Sequence, residues 1–314
     1  MLASFDFKKM AVVFGLILLL SGVSLLSPTP TLLSIQGGEK IPRLIKKADT
    51  TPDLFGEAII IKRLKSDEIL FERNAGQKLP IASLTKLMSA LILAELAEPL
   101  AEMEFSENAQ LVGQPDDKRS QTEAGERFKT EDIIKMMLVS SYNDAAYAAA
   151  ESVAVSKRPE LDSKPFEERI AFFVELMNQQ AKALGLANTH FANPAGSDDP
   201  NNFSTAEDIA ALSKFINGTH PELWASSRIQ ETFVFGKKNR RYGLVNTNPL
   251  LKEYPSIYGS KTGFEDRAQG ALLILYQIAR QDNVVIVILR SKDRFRDGAS
   301  AIQWLESNFM ISSR

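Results

Sequence analysis

The chain has 314 residues, 44% of them hydrophobic and 24% charged, enough for one large globular domain or two small ones. A formal net charge of −2 gives no reason to expect a nucleic-acid partner, which calls for a basic face. There is no cysteine and there are two histidines, His190 and His220, which excludes a disulfide framework, a thiolate nucleophile and a His-rich or cysteine-ligated metal site. No cofactor or metal is expected, and a Ser-His-Asp triad would have to use one of those two histidines.

At the N-terminus, Lys8 and Lys9 precede an apolar run over residues 10–26, and the next Lys or Arg is Lys40. This is the positive-inside pattern of a segment whose N-terminus stays in the cytoplasm while the rest is exported. Seventeen residues is short for a span. An uncleaved membrane anchor over 1–27 is nonetheless favoured over a cleaved signal peptide, for which Gly22 and Ser24 offer a small-x-small site. Residues 28–52, with Ser, Thr, Pro and Gly and little periodicity, read as a linker, and 53–314 as the catalytic domain. The expected location is the outer side of the cytoplasmic membrane, or the medium if the segment is cleaved.

Residues 57–64 and 68–72 read as two strands about the turn Lys65-Ser66-Asp67. Ile81-Ala82-Ser83-Leu84-Thr85-Lys86 then opens a helix-forming run. Residues three apart share a helix face, which brings the Lys86 amine within reach of the Ser83 hydroxyl. A serine hydroxyl is a weak nucleophile until a base takes its proton, and lysine can be that base once its pKa is lowered. Alone, Ser-x-x-Lys also fits a helix-capping serine followed by a surface lysine.

Residues 98–129 are polar and broken, with strand-like pieces at 104–105 and 125–128. Thr130-Glu131-Asp132 starts a helix that ends at Ser140-Ser141-Tyr142-Asn143, and another helix follows from Asp144 to 154. Helical periodicity over 165–184 stops at Gly185. After a loop over 190–200, Ser204-Thr205-Ala206-Glu207 reads as a capping box. A hairpin is expected at 232–235 and 242–245, strands at 271–278 and 283–289, and an amphipathic helix at 299–309. The fold class is α+β: a mostly antiparallel sheet flanked by helices.

Two further elements join the first. Ser141-x-Asn143 lies at a helix junction, and Lys261-Thr262-Gly263 just precedes the C-terminal strands. Ser-x-x-Lys, Ser-x-Asn and Lys-Thr-Gly in series are the signature of penicillin-binding proteins and class A β-lactamases. With Asn193-Pro194-x-Gly196, Asn188-Thr189-His190-Phe191 and Asn246-Thr247-Asn248, the chain resembles the serine-type D-alanyl-D-alanine carboxypeptidases of the low-molecular-mass penicillin-binding proteins, from about Asp53 onward.

The resemblance implies a β-lactamase/transpeptidase-like fold with an all-helical lobe beside the sheet and the active site between them. It implies that Ser83 attacks the carbonyl of the penultimate D-alanine of a peptidoglycan stem peptide, with Lys86 as base and Lys261 helping to keep Lys86 neutral. Ser141 would relay a proton to the leaving amine, and Asn143 would hold Lys86 or the substrate amide. Lys261 and Thr262 would bind the terminal carboxylate, Gly263 would let the strand approach the ligand, and the Ser83 and Phe264 N–H groups would form the oxyanion hole. β-Lactams would be covalent inhibitors. The chain departs from the family at Tyr142, where a small residue is common, at Phe264, where histidine is frequent, and at Ser197, where leucine follows the glycine.

The alternatives are a DD-endopeptidase of the same family, a β-lactamase and a catalytically silent peptidoglycan-binding protein. The β-lactamase would need a water-activating glutamate, for which Glu160 is a faint candidate, and the silent protein would have no use for all five polar motif residues. His190 and His220 read as structural, the basic cluster at 237–241 as a solvated hairpin tip, and Gly259-Ser260-Lys261-Thr262 not as a phosphate loop.

Overall fold

A computed structural model describes residues 44–47, 50–98, 101–112, 120–237, 239–279 and 282–311. All lie in one compact unit, Ile41–Arg314. The apolar segment at 10–26 lies outside the described residues. Among those described, no helix is long and apolar enough to cross a membrane.

The described chain begins with β1 (Leu44–Lys46), β2 (Ala58–Arg63), β3 (Ile69–Arg73) and β4 (Leu79–Pro80). The helical lobe follows: α1 (Lys86–Leu96), β5 (Glu102–Glu104), α2 (Glu107–Val112), β6 (Arg127–Lys129), α3 (Thr130–Leu138), α4 (Asn143–Lys157) and α5 (Phe166–Ala183). Next come β7 (Phe203–Ser204), α6 (Ala206–Thr219), α7 (Pro221–Ser227), the hairpin β8 (Glu231–Phe235) and β9 (Arg241–Val245), and α8 (Leu250–Glu253). The C-terminal part is β10 (Ile257–Glu265), β11 (Gln269–Ala279), β12 (Asp282–Ser291), α9 (Arg294–Asn308) and β13 (Phe309–Ile311).

Five strands form the central sheet in the order β10-β11-β12-β2-β3, each pair antiparallel. Strand side chains alternate between faces, and here both faces are covered. Ile60, Leu273 and Val287 pack on the helical side, while Ile59, Ile61, Leu272, Ile274, Ile286 and Ile288 pack on the side of α8 and α9. Double burial explains why these antiparallel strands read as continuous apolar runs rather than as alternating ones. The exception is β10, Ile-Tyr-Gly-Ser-Lys-Thr-Gly-Phe-Glu, an edge strand whose outer rim carries polar chemistry.

Several expectations shift. The capping box is displaced by one residue: Ser204 belongs to β7, and the N-cap is Thr205, whose Oγ1 accepts from Asp208 N at 3.0 Å. The last helix starts at Arg294, capped by Asp293, rather than at 299. The polar stretch before Lys129 contains the short helix α2, and three residues read as linker form β1, paired with β13.

Asp297 ties the start of β2 to α9. Fully buried, it accepts from Phe55 N at 2.8 Å, Gly56 N at 2.9 Å and Ser291 Oγ at 2.7 Å. Asp297→Ala strands these donors in the core and is expected to cost about 2–4 kcal/mol. Thermal melting followed by circular dichroism should show a drop of several degrees in Tm, and an unchanged Tm would refute this role.

Candidate active site

Ala82–Thr85 form one 3-10 turn that leads directly into α1, so Lys86 is the first residue of the α-helix. A helix beginning near Ser83 was expected; the tighter turn serves the chemistry better, since side chains three apart eclipse each other in 3-10 geometry. Lys86 Nζ lies 2.9 Å from Ser83 Oγ. Ala82, just before the serine, holds the left-handed φ of 47°, as Ser141 does at 60°. Strain of this kind costs on the order of 1–3 kcal/mol and persists only where the surroundings impose it.

The surroundings here are dense. Lys86 is 0% exposed, and its amine donates to Asn143 Oδ1 at 2.7 Å and to the Ala195 carbonyl at 2.7 Å. Both of those oxygens can only accept, whereas the Ser83 hydroxyl can donate. A neutral amine has two N–H bonds and one lone pair, so with its N–H bonds spent on Asn143 and Ala195 it turns its lone pair to the serine proton. That is the geometry of a general base on a nucleophile.

The opposite wall is β10. Gly263 sits so close to the serine turn that an added Cβ would lie 3.0 Å from Ala82 Cβ and 3.1 Å from Ser83 N. The close approach that needs this glycine is therefore to the nucleophile's own backbone, not in the first instance to a ligand. Lys261 is 1% exposed, and its Nζ donates to Ser141 Oγ at 2.7 Å and to the Thr262 carbonyl at 2.9 Å. Burial, and secondarily the charge of Arg294, push the Lys261 amine down to about 7.

A cleft of about 280 Å³ lies between these walls. Of the eight residues singled out in the sequence, Ser83, Ser141, Thr262, Gly263 and Phe264 line it. Lys86, Asn143 and Lys261 lie behind them, almost wholly buried. Lys261 reaches the cleft through Ser141, which its amine touches.

Ser140, Thr247 and Arg294 complete the wall and were not singled out for a role. Thr247 Oγ1 is 2.6 Å from Thr262 Oγ1. Arg294 comes from the first turn of α9, its guanidinium packed over Phe295 at 4.4 Å and Phe264 at 5.5 Å. Burial lowers its pKa from the usual guanidinium value, and its Nε has no hydrogen-bond partner among the described residues. It puts a cation on the surface of the cleft wall, and nothing in its local sequence announces it.

The remaining candidates fall elsewhere. His190 Nδ1 pairs with the Asn201 carbonyl at 2.7 Å and its ring stacks on Phe203, a structural role. Glu160 is exposed in the short 3-10 helix Pro159–Ser163 and does not line the cleft, so it offers no water-activating carboxylate there. Ser260 and Lys261 belong to a strand, not to a phosphate-binding loop. Among the described residues no cluster of His, Cys, Asp or Glu suits a metal ion.

The chain is similar in sequence and fold to known proteins. The family model described as D-alanyl-D-alanine carboxypeptidase matches residues 45–293. The D-alanyl-D-alanine carboxypeptidase DacF of Bacillus subtilis is 30% identical over 259 residues, covering 81% of this chain and 60% of the relative, so the chain spans about three fifths of that protein. A D-alanyl-D-alanine endopeptidase of Pseudomonas aeruginosa is 29% identical over 261 residues, covering 80% of this chain and 77% of its own length. In fold, the crystal structure of the Streptomyces K15 DD-transpeptidase superposes with a TM-score of 0.73 at 20% identity, over 82% of this chain and 99% of that one. The chain belongs to the D-alanyl-D-alanine carboxypeptidase family.

Proposed function

We propose that this protein is a serine D-Ala-D-Ala carboxypeptidase that removes the terminal D-alanine from peptidoglycan stem peptides through an acyl-enzyme, and that β-lactams acylate the same serine. The observation that carries the reading is the buried Lys86 amine, 2.9 Å from Ser83 Oγ and held by Asn143 and Ala195. Edge strand β10 has a rim that an extended peptide can join by main-chain hydrogen bonds.

Ser83 Oγ attacks the carbonyl carbon of the penultimate D-alanine while Lys86 takes its proton. The N–H groups of Ser83 and Phe264 receive the developing oxyanion. As the C–N bond breaks, the leaving amine takes a proton from Ser141, which Lys261 replenishes across 2.7 Å. Water then hydrolyses the ester: the proton it gives up restores Lys261, and Lys86 returns its proton to Ser83 Oγ as the ester C–O bond breaks. Arg294, Thr262 and Thr247 offer a guanidinium and two hydroxyls to the terminal carboxylate, a charge-assisted arrangement that favours a carboxypeptidase over an enzyme indifferent to the substrate's end. A DD-endopeptidase of the same family is the second reading, since a relative so named is 29% identical over 261 residues. Release of D-alanine from a pentapeptide, measured against cleavage of cross-linked muropeptides, separates the two.

The apolar run at 10–26 behind Lys8 and Lys9 supports a domain tethered to the outer face of the cytoplasmic membrane by an N-terminal anchor.

Ser83→Ala and Lys86→Ala are each expected to abolish D-alanine release while leaving far-UV circular dichroism unchanged; full activity in Ser83→Ala would end this reading. Arg294→Ala should raise KM for a free-carboxylate peptide about 10- to 100-fold, the value of one hydrogen bond to a charged group, and leave a C-terminal amide analogue little affected. Lys261 gives up its proton near pH 7 and serves the leaving amine as a donor, so kcat/KM should fall as pH rises above about 7. Lys261→Arg, whose guanidinium stays charged and cannot pass its proton to Ser141, should lower kcat/KM and show no basic limb near pH 7 in the activity that remains; a limb of the same midpoint in the variant would assign it to another group.

A further inference from the structure

The loop over residues 193–197 packs against the turn that carries Ser83 and Lys86, and its attachments are dense. Asn193 Oδ1 accepts from three successive backbone N–H groups, Ala195 at 3.2 Å, Gly196 at 2.7 Å and Ser197 at 3.1 Å, while its Nδ2 donates to the Ser197 carbonyl at 3.0 Å. One side chain thus closes the loop on itself. Gly196 has a φ of +87°, and a Cβ there would overlap the Ala82 carbonyl, so the loop rests on the strained residue just before the nucleophile. Beneath it, Ser89 Oγ donates to the Pro194 carbonyl at 2.6 Å. Asn202 Nδ2 donates to Thr85 Oγ1 at 3.0 Å, and its Oδ1 accepts from Ala192 N at 3.1 Å.

These contacts converge on one atom. The carbonyl between Pro194 and Gly196, that of Ala195, accepts from Lys86 Nζ at 2.7 Å. With Asn143 taking one N–H of a neutral amine, the Ala195 carbonyl takes the other and so decides where the lone pair points. A carbonyl displaced by an ångström would leave the amine free to rotate away from Ser83.

We propose that Asn193 is a positioning residue for the general base: by fixing the 193–197 loop it holds the Ala195 carbonyl that aims Lys86 at Ser83. The assignment rests on Ser83 and Lys86 being nucleophile and base. It differs from a purely structural role because it acts on the chemical step and not on ligand binding, whose groups lie on the other wall of the cleft.

The test is acylation of the full chain by a chromogenic β-lactam under single-turnover conditions, which separates the dissociation constant from the acylation rate constant. Wild-type acylation at Ser83 checks the underlying reading, and without it that reading fails rather than this one. Asn193→Ala is expected to lower the acylation rate constant about 100-fold while the dissociation constant stays within a few-fold. Asn193→Asp keeps the oxygen that accepts the three N–H groups and should recover most of the rate. Ser89→Ala, which removes the support under Pro194, should lower the rate constant in the same sense and provides the test should Asn193→Ala not fold. A wild-type rate constant in either folded alanine variant would overturn the proposal. So would a loss shared equally by binding and chemistry, or a failure of Asn193→Asp to recover the rate.

Discussion

Everything in the cleft depends on one dry amine. Lys86 sits at the first turn of α1 with no exposed surface, between the Ser83 hydroxyl and two oxygens that only accept. These partners come from sequence positions 83, 143 and 195, so this set of contacts exists only when the 3-10 turn, the start of α4 and the 193–197 loop are docked together. The apolar stretch from Leu87 to Leu93 buries α1 and fixes that docking. The chemistry therefore rests on hydrophobic packing behind it, as expected for catalytic groups held by a rigid scaffold.

The second wall is built on the opposite principle. Strand β10 is polar and lies at the edge of the sheet, which leaves one rim unpaired for a peptide, and Gly263 lets it press against the nucleophile's backbone. Two cations stand in this wall, both lowered by burial: Lys261 behind Ser141 and Arg294 on the surface of the cleft. Phe264, 51% exposed at the rim, replaces a more polar residue common in the family and gives this cleft an apolar lip.

Much of this was legible in the sequence because the reaction demands particular residue types at fixed spacing. Ser83 and Lys86 are neighbours on one turn, Ser141 and Asn143 straddle a helix junction, and Lys261, Thr262 and Gly263 share one strand; each constraint is local, so each leaves a local pattern. The doubly buried strands β11 and β12 were equally plain from their apolar runs. What escaped notice acts without a local pattern. Arg294 reaches the cleft from a helix whose start depends on Asp293 capping it and Asp297 docking it. The Ala195 carbonyl is backbone, which no side-chain pattern reveals. Thr247 matters through a contact with Thr262 fifteen positions away. Two contacts of the motif residues were not legible either: Lys261 touches Ser141, and Gly263 lets the strand fit against the serine turn. Ser204 was mistaken for a cap because the short strand β7 claims it, a tertiary pairing with β4 that local propensity does not report.

The central claim is that Ser83 becomes covalently acylated with Lys86 as its base. The most direct test is tryptic mapping by mass spectrometry after incubation of the full chain with excess penicillin, with Lys86→Ala in parallel. The account predicts one drug mass on the peptide of residues 79–86 in the wild type, with the adduct absent from the variant after the same interval. An adduct on any other peptide, or none while the drug stays intact, would contradict it.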